Sequence, residues 1–443
     1  GHRPLFYKKA FKSIKRIMFL INSMAHHAVL KMKVKQFASA LIEQKGFKAA
    51  FIAIFNSFSW YFPLYIFFVN VLDNLHIEQN TLLLPYSLHY LTIVTSALIG
   101  YSLISKLKRY NLLLLWMLAG TIVSLSMLFL KSGEMGWVYF ISIFLGFSLG
   151  LGFPSCLAYF ADNVDIAHRG FLGGITFFLA FLGMFAIGFL TTVLDYFASI
   201  LVFTIWRAIG LVAFLLSKPK NEQKAEIADV SYVTILHERA FILYFIPWTM
   251  FCLINFLEIP FFDIPLQQYF LGTNLRYLIS IGEFGIGGLS ALIGGLLSDR
   301  IGRKRMIISA FMMVGIGYAV LSLSFSSPIA LYFYVLLDGV AWGIFALMFY
   351  LIIWGDLAAN RSKEKYYLIG TLPFLISSFI SFLVTPYAGA VPLTTAFSLA
   401  SFFLFLAVLP LIYAPETLPE KTIKERELKS YIEKAKKEKE KYA

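Results

Sequence analysis

Runs of about 20 consecutive apolar residues recur about twelve times along this chain, the first opening near Lys48 and the last near Thr394. Coiled into a helix that rises about 1.5 Å per residue, each run is long enough to cross the roughly 30 Å hydrocarbon layer of a bilayer. A bilayer offers no water to backbone N–H and C=O groups, and helices satisfy those groups within each segment. The composition agrees: 59% of the residues are hydrophobic, 14% are charged, and the mean hydropathy is +0.75. That balance lies outside the range of soluble globular domains. The expected fold class is an all-α membrane protein with twelve transmembrane helices.

The net charge of +13 would point to nucleic acid in a soluble domain, but in a membrane chain cations are sorted to the cytoplasmic side. Assigning the connections alternately to two sides places every lysine and arginine on one side except Lys131, Arg207 and Arg276. Both termini are therefore expected in the cytoplasm, the cell membrane is the expected location, and no nucleic-acid partner is expected. Residues 1–46 carry many lysines and only one short apolar patch, IMFLI. They read as a basic cytoplasmic segment, non-native or disordered, outside the folded body. Cys156 and Cys252 sit inside apolar runs, where neither a disulfide framework nor a zinc site is expected.

The longest internal polar stretch divides the spans six and six. Shifting the second half onto the first by 194 residues pairs SKLKR (105–109) with DRIGR (299–303), Lys45 with Arg239, Asp162 with Asp356, and Arg169 with Lys363. Charged markers that align at separate loops without a gap point to a unit duplicated in parallel orientation. The expected units are an amino-terminal six-helix bundle over 47–217, a cytoplasmic linker over 218–239, a carboxy-terminal six-helix bundle over 240–413, and a charged cytoplasmic tail over 414–443. In the tail, Glu425 with Lys429 and Glu433 with Lys437 have the i,i+4 spacing of a solvated helix.

One loop of the second half, GGLLSDRIGRKR (294–305), carries Gly295, Asp299, Arg300, Gly302, Arg303 and Lys304 in the order G-x3-D-R-x-G-R-K. It resembles the loop signature of the major facilitator superfamily in its second-half position, between spans eight and nine. Asp162 seven residues before Arg169, its repeat as Asp356 before Lys363, and APETLPEK (414–421) resemble the acid-to-RG spacing and the PET motif of the sugar-porter branch. The resemblance covers about residues 47–421 and implies two pseudo-symmetric bundles working by alternating access. It also implies that the signature loop meets the start of span five, here Arg169, Gly170 and Phe171. Asp299 would then face the positive end of that helix and an arginine, while Gly294 and Gly295 admit close approach. Arg169, Asp162 and Asp356 join the signature residues as the expected gate. Ser105 stands where the first-half loop would carry the equivalent of Asp299. One acid latch is therefore expected, with its symmetric partner at span eleven missing.

Polar groups inside spans cost several kcal/mol unless paired or hydrated, and the family plan places spans one, four, seven and ten around a central cavity. Trp248, Phe251, Asn255 and Glu258 share a face of span seven; Tyr334, Asp338 and Trp342 share a face of span ten. Asn56 and Trp60 are the corresponding groups of span one. Helix packing alone would also accommodate the rings, but carboxylates and amides beside aromatic faces suit a polyhydroxylated or amphipathic solute. The expected substrate contacts are Asn56, Trp60, Trp248, Asn255, Glu258, Tyr334, Asp338 and Trp342. His89 and Glu283 occupy equivalent places in spans two and eight. A desolvated carboxyl favours its neutral form and a histidine titrates near neutrality. Asp338, Glu283, Glu258 and His89 are accordingly the candidates for a coupled proton, with helix packing the plain alternative for His89 and Glu283. Arg207, mid-span six, is expected to bond backbone carbonyls or snorkel, with an anionic solute as the alternative.

GFSLG (146–150) matches G-x-S-x-G, but a nucleophile elbow needs a strand-turn-helix. This stretch lies mid-span, where Gly146 and Gly150 read as small residues at a helix contact. HER (237–239) lacks the second histidine of a zinc motif, and no phosphate-binding loop is present. No enzyme, cofactor or metal is expected. The expected function is secondary active transport of a small organic solute by a monomer coupled to protons. A sugar-like solute stands ahead of an amphipathic or drug-like one, and a non-transporting sensor or membrane-embedded enzyme is the remote alternative.

Overall fold

Among the described residues of the computed structural model, eleven helices are long and apolar enough to cross a membrane. Spans 1 to 6 are Gly46–Asn74, Thr81–Ile104, Arg109–Leu130, Met135–Asn163, Ile166–Val193 and Tyr196–Leu216. Spans 7 to 10 are Arg239–Phe261, Gly282–Ile301, Arg303–Leu323 and Pro328–Ala358, and span 12 is Leu393–Tyr413. The position of span 11 is filled by the helix Lys363–Val384, which opens on the charged run Lys363, Glu364, Lys365. The structure describes residues 37–419 except 42–44, 76, 78, 105, 218–229, 270–272, 360, 385–386 and 388–389, together with residue 428. Ser105, most of the linker and the charge pairs of the tail lie outside the described residues.

The order of packing repeats. In the first half span 1 packs on spans 5 and 6, span 2 on span 4, and span 3 on spans 4 and 6. Six spans later span 7 packs on spans 11 and 12, span 8 on span 10, and span 9 on spans 10 and 12. The two halves meet along two seams that this symmetry also relates, span 5 against span 8 and span 2 against span 11. Stripes such as Leu84, Leu91 and Leu98 on span 2 and Ile205, Ile209 and Val212 on span 6 face outward and are exposed. Apolar stripes of this extent suit lipid and not water.

Three local departures from plain helices shape the gate and the path between the halves. Span 4 is interrupted between Met135–Gly150 and Phe153–Asn163, with Pro154 in the first turn of the second segment. Span 10 widens into a π-helical turn, Ala346–Ile352, between Pro328–Phe345 and Ile353–Ala358. The stretch expected as a polar linker ends in a short helix, Tyr232–His237, capped by Ser231 Oγ accepting from the Thr234 N–H at 3.1 Å. Ile235, buried beneath it, anchors this helix to the body. Gly146 and Gly150 let span 4 approach span 2, since a side chain at either would collide with the carbonyl oxygen of His89 or Ile93.

Candidate gate and transport path

At the end of the molecule that carries the basic loops, Asp299 Oδ1 accepts from the N–H of Gly170 at 3.0 Å, and Oδ2 from the N–H of Phe171 at 2.8 Å. These are N–H groups of the first turn of the helix Arg169–Val193, where a carboxylate meets backbone donors and the positive end of the helix dipole. Backbone approach makes this possible: a side chain on Gly295 would strike the Gly170 carbonyl. Arg303, fully buried, lies 3.6 Å from Asp299 and 2.6 Å from Asp356, and donates to the Ile166 carbonyl of the first half at 2.7 Å. Asp356 also pairs with Arg169, whose other terminal nitrogen donates to the Ala161 and Val164 carbonyls. Asp299, Arg303 and Asp356 of the second half thus meet Arg169 and Gly170 of the first in one buried network.

The remaining signature residues do other work. Gly302, at φ +101°, starts span 9, and Glu416 of the PET segment accepts from the backbone N–H groups of Arg303 and Lys304 at 2.9 and 3.2 Å. Lys304 Nζ reaches the Ala414 carbonyl at 3.0 Å, within its own half. Arg300 is exposed and takes no part in the network.

Ser105 leaves the first-half loop without a counterpart of Asp299, and a different contact serves the other seam. The start of span 11 is held by a pair of opposite polarity: Glu364 binds Arg109, the residue aligned with Arg303, and Arg109 also binds Asp162 at 2.8 Å. Lys363 pairs with Asp162, and Lys365 Nζ lies 5.3 and 5.1 Å from the ring centres of Tyr101 and Tyr232. Three successive residues of span 11 therefore grip the first half or the linker helix. The acid sits on the span and the cation on the loop, the reverse of the Asp299 contact. The 194-residue register matches only loop charges and carries no sign of this reversal.

Near mid-depth the halves meet through aromatic rings. Tyr350, on the π turn of span 10, has ring centroids of Phe58, Phe153 and Phe177 from the first half within 5.8, 6.0 and 6.4 Å. Phe374 and Trp248 of its own half stand at 5.5 and 5.9 Å, both edge to face. At about 1.5 Å per residue these groups lie roughly 12 to 18 Å from the latched end. The unbroken apolar run of span 10 gave no sign of Tyr350; only the extra residue of the π turn places it, and such turns recur at functional sites. From here a stripe climbs span 7 toward the other end, through Phe251 against Trp342 and Asn255, whose Oδ1 accepts from Trp342 Nε1 at 3.1 Å, to Glu258. Glu258 Oε2 and Asp338 Oδ1 are buried without a hydrogen-bond partner among the described residues. Tyr334 turns instead to span 9, donating to Tyr318 Oη at 3.1 Å. Glu283 on span 8 is half-buried.

Two expected contacts of span 1 face away from the seam. Arg207 Nη1 donates to Asn56 Oδ1 at 2.9 Å and Ser57 Oγ at 2.6 Å, and the guanidinium lies 4.5 Å from the Trp60 ring and 4.9 Å from Trp116. Asn56 also donates to the Trp206 carbonyl, and Trp60 Nε1 donates to Ser124 Oγ at 2.7 Å. A buried cation needs acceptors and ring faces, and that need turns Asn56 and Trp60 inward among spans 3 and 6. Arg207 meets side chains here, not the carbonyls expected of it. His89 has both ring nitrogens committed: Nδ1 lies 3.1 Å from the Ser142 carbonyl, which can only accept, and Nε2 lies 2.9 Å from the Tyr61 hydroxyl. It packs inside the first half between spans 1 and 4.

Comparison with known proteins accords with this architecture. The proton:xylose symporter XylE, solved with 6-bromo-6-deoxy-D-glucose, superposes with a TM-score of 0.65 at 14% identity, covering 84% of this chain and 96% of that one. The human organic anion transporter MFSD10 (TETRAN) gives 0.64 at 14% identity, covering 83% and 99%. The enterobactin exporter EntS of Shigella boydii serotype 4 (strain Sb227) is 27% identical over 177 residues, a match that spans 38% of this chain and 42% of that protein. The sequence profile of the Major Facilitator Superfamily matches residues 49–353. With paired six-span halves meeting along symmetric seams and that match over most of its length, the chain belongs to the major facilitator superfamily and is a transporter, not an enzyme.

Proposed function

We propose that this chain moves an amphipathic organic solute with a ring-bearing, apolar body by alternating access, coupled to protons. The observation that carries the reading is the mid-depth seam, where Phe58, Phe153 and Phe177 of one half pack on Tyr350 of the other, which is backed in its own half by Trp248 and Phe374. A polyhydroxylated solute needs a matched donor or acceptor for each hydroxyl, and unmatched groups are penalised heavily. Rings wall this seam instead, and rings suit a flat apolar body. Asn255 and Glu258 on the stripe above would meet the polar part of the solute, and Asp338, Glu258 and Glu283 are the carboxyls available for a proton. The network around Asp299 and the Arg109–Glu364 pair close the basic end. We place that end, with both termini, in the cytoplasm of a cell-membrane protein that works as a monomer.

A sugar-like solute is the second reading, favoured by the Trp342–Asn255 pair beside Glu258, which offers a ring face and polar groups together. A thermal-shift panel on purified protein separates the two, because a ligand at about 100 times its Kd stabilises the folded state by about 2.7 kcal/mol. Amphipathic aromatic solutes are expected to raise Tm and to support counterflow in proteoliposomes, while aldoses are not. Stabilisation by aldoses alone would install the second reading. Saturable binding with no flux of any solute would mark a sensor.

A further inference from the structure

Tyr and Trp side chains buried in proteins nearly always give their O–H or N–H a partner. Tyr350 Oη and Trp248 Nε1 break that rule together. Both residues are almost wholly buried, and neither atom has a hydrogen-bond partner among the described residues. Their rings pack directly on each other, 5.9 Å apart at 88°, so the two orphan donors sit on neighbouring rings of one aromatic cluster. The nearest acceptors on the stripe cannot serve them. Glu258 stands ten residues along the helix from Trp248, about 15 Å away, and Asn255 is engaged with Trp342. The rings around Tyr350, Phe58, Phe153, Phe177 and Phe374, and those around Trp248, Phe251, Phe345 and Phe349, offer π faces and no lone pair.

We infer that Tyr350 and Trp248 are the specificity-determining donors of the solute site, and that they select a planar aromatic molecule carrying a hydrogen-bond acceptor, such as a ring nitrogen or carbonyl. A flat ring system replaces ring-to-ring contacts of the seam with equivalent ones when the halves part. Its acceptor then satisfies one or the other donor that the empty protein leaves unpaired. A solute of the same shape without the acceptor would gain the ring contacts and leave the donors as they were. The inference rests on the reading of the seam as the solute site.

The test uses the full chain in lipid nanodiscs with two isosteric probes, quinoline, which has one acceptor, and naphthalene, which has none. Wild-type protein is expected to bind quinoline about tenfold more tightly, the effect of one hydrogen bond to a donor otherwise unpaired. Tyr350→Phe and Trp248→Phe should each shrink that preference and the double variant should abolish it, the readout being the ratio of quinoline to naphthalene affinity within each variant. Tyr350→Phe removes a single oxygen and decides the matter alone if Trp248→Phe does not fold. Its unliganded Tm should equal or exceed that of the wild type, since an unpaired donor has gone. Equal wild-type affinity for the two probes, or a preference that survives in the double variant, overturns the inference while leaving the seam as the site. Binding of neither probe overturns the inference and the amphipathic reading together.

Discussion

Replacing Asp299 by asparagine isolates what the acid among the loop cations contributes. The carboxylate accepts from two N–H groups at the start of span 5, at 3.0 and 2.8 Å, and lies 3.6 Å from Arg303. Asparagine keeps one acceptor oxygen but loses the charge and the second acceptor. A charge-assisted hydrogen bond contributes about 1.5 to 3 kcal/mol. The contact spans the two halves and exists only while their basic ends are together, so this free energy differs between the two states, as any shift of populations requires. At about 1.4 kcal/mol per factor of ten, the ratio of latched to open protein should fall about ten- to a hundredfold. The readout is maleimide labelling of Leu351→Cys, a position on span 10 that is fully buried in the latched form. Cys156 and Cys252, both buried, would be replaced by alanine beforehand. Labelling should accelerate by tenfold or more, with the helical circular dichroism unchanged. An unchanged rate in a folded variant would show that Asp299 decorates the loop and latches nothing.

Other contacts give three further expected outcomes. Glu364→Gln removes the acid that Arg109 binds at the start of span 11 and should speed labelling of the same cysteine, by about tenfold; no change would confine the gate to the span 5 side. Arg207→Met leaves Asn56 and Ser57 without their shared donor and should lower stability by about 1 to 3 kcal/mol, read as a lower Tm, while solute affinity in the surviving protein stays the same. A selective loss of affinity would make Arg207 a solute ligand. Asp338→Asn or Glu258→Gln should abolish uphill accumulation driven by a pH gradient and spare counterflow; wild-type uptake indifferent to protonophores would remove proton coupling altogether.

The spans were legible because the bilayer imposes their length and apolarity on the sequence directly, and the duplication was legible because charged loop markers keep their register. The meeting of Asp299 with Gly170 and Phe171 was anticipated through the family resemblance, since a placed acid among glycines is uncommon in a loop that only needs cations. The side-chain directions of Asn56 and Trp60 were not legible. Both faces of span 1 are polar enough to serve, and only the demand of Arg207 for acceptors, which depends on how spans 1, 3 and 6 pack, decides between them. Tyr350 was hidden for a different reason: a π turn leaves no signature in a uniformly apolar run. Glu364 and Lys365 escaped because the duplicated register points to an acid on the loop, where the structure puts the acid on the span.

The central claim is that the two halves rock, so that opening the basic end closes the other. Spin labels at Lys106 and Arg305, exposed on opposite halves at the basic end, and at Glu134 and Ser326, exposed on opposite halves at the far end, measure both ends by pulsed electron–electron resonance in nanodiscs. In the Asp299→Asn protein with a transported solute, the account predicts a second population with a longer Lys106–Arg305 distance and a shorter Glu134–Ser326 distance. Two distances that stay fixed, or that lengthen together, would contradict alternating access in this chain.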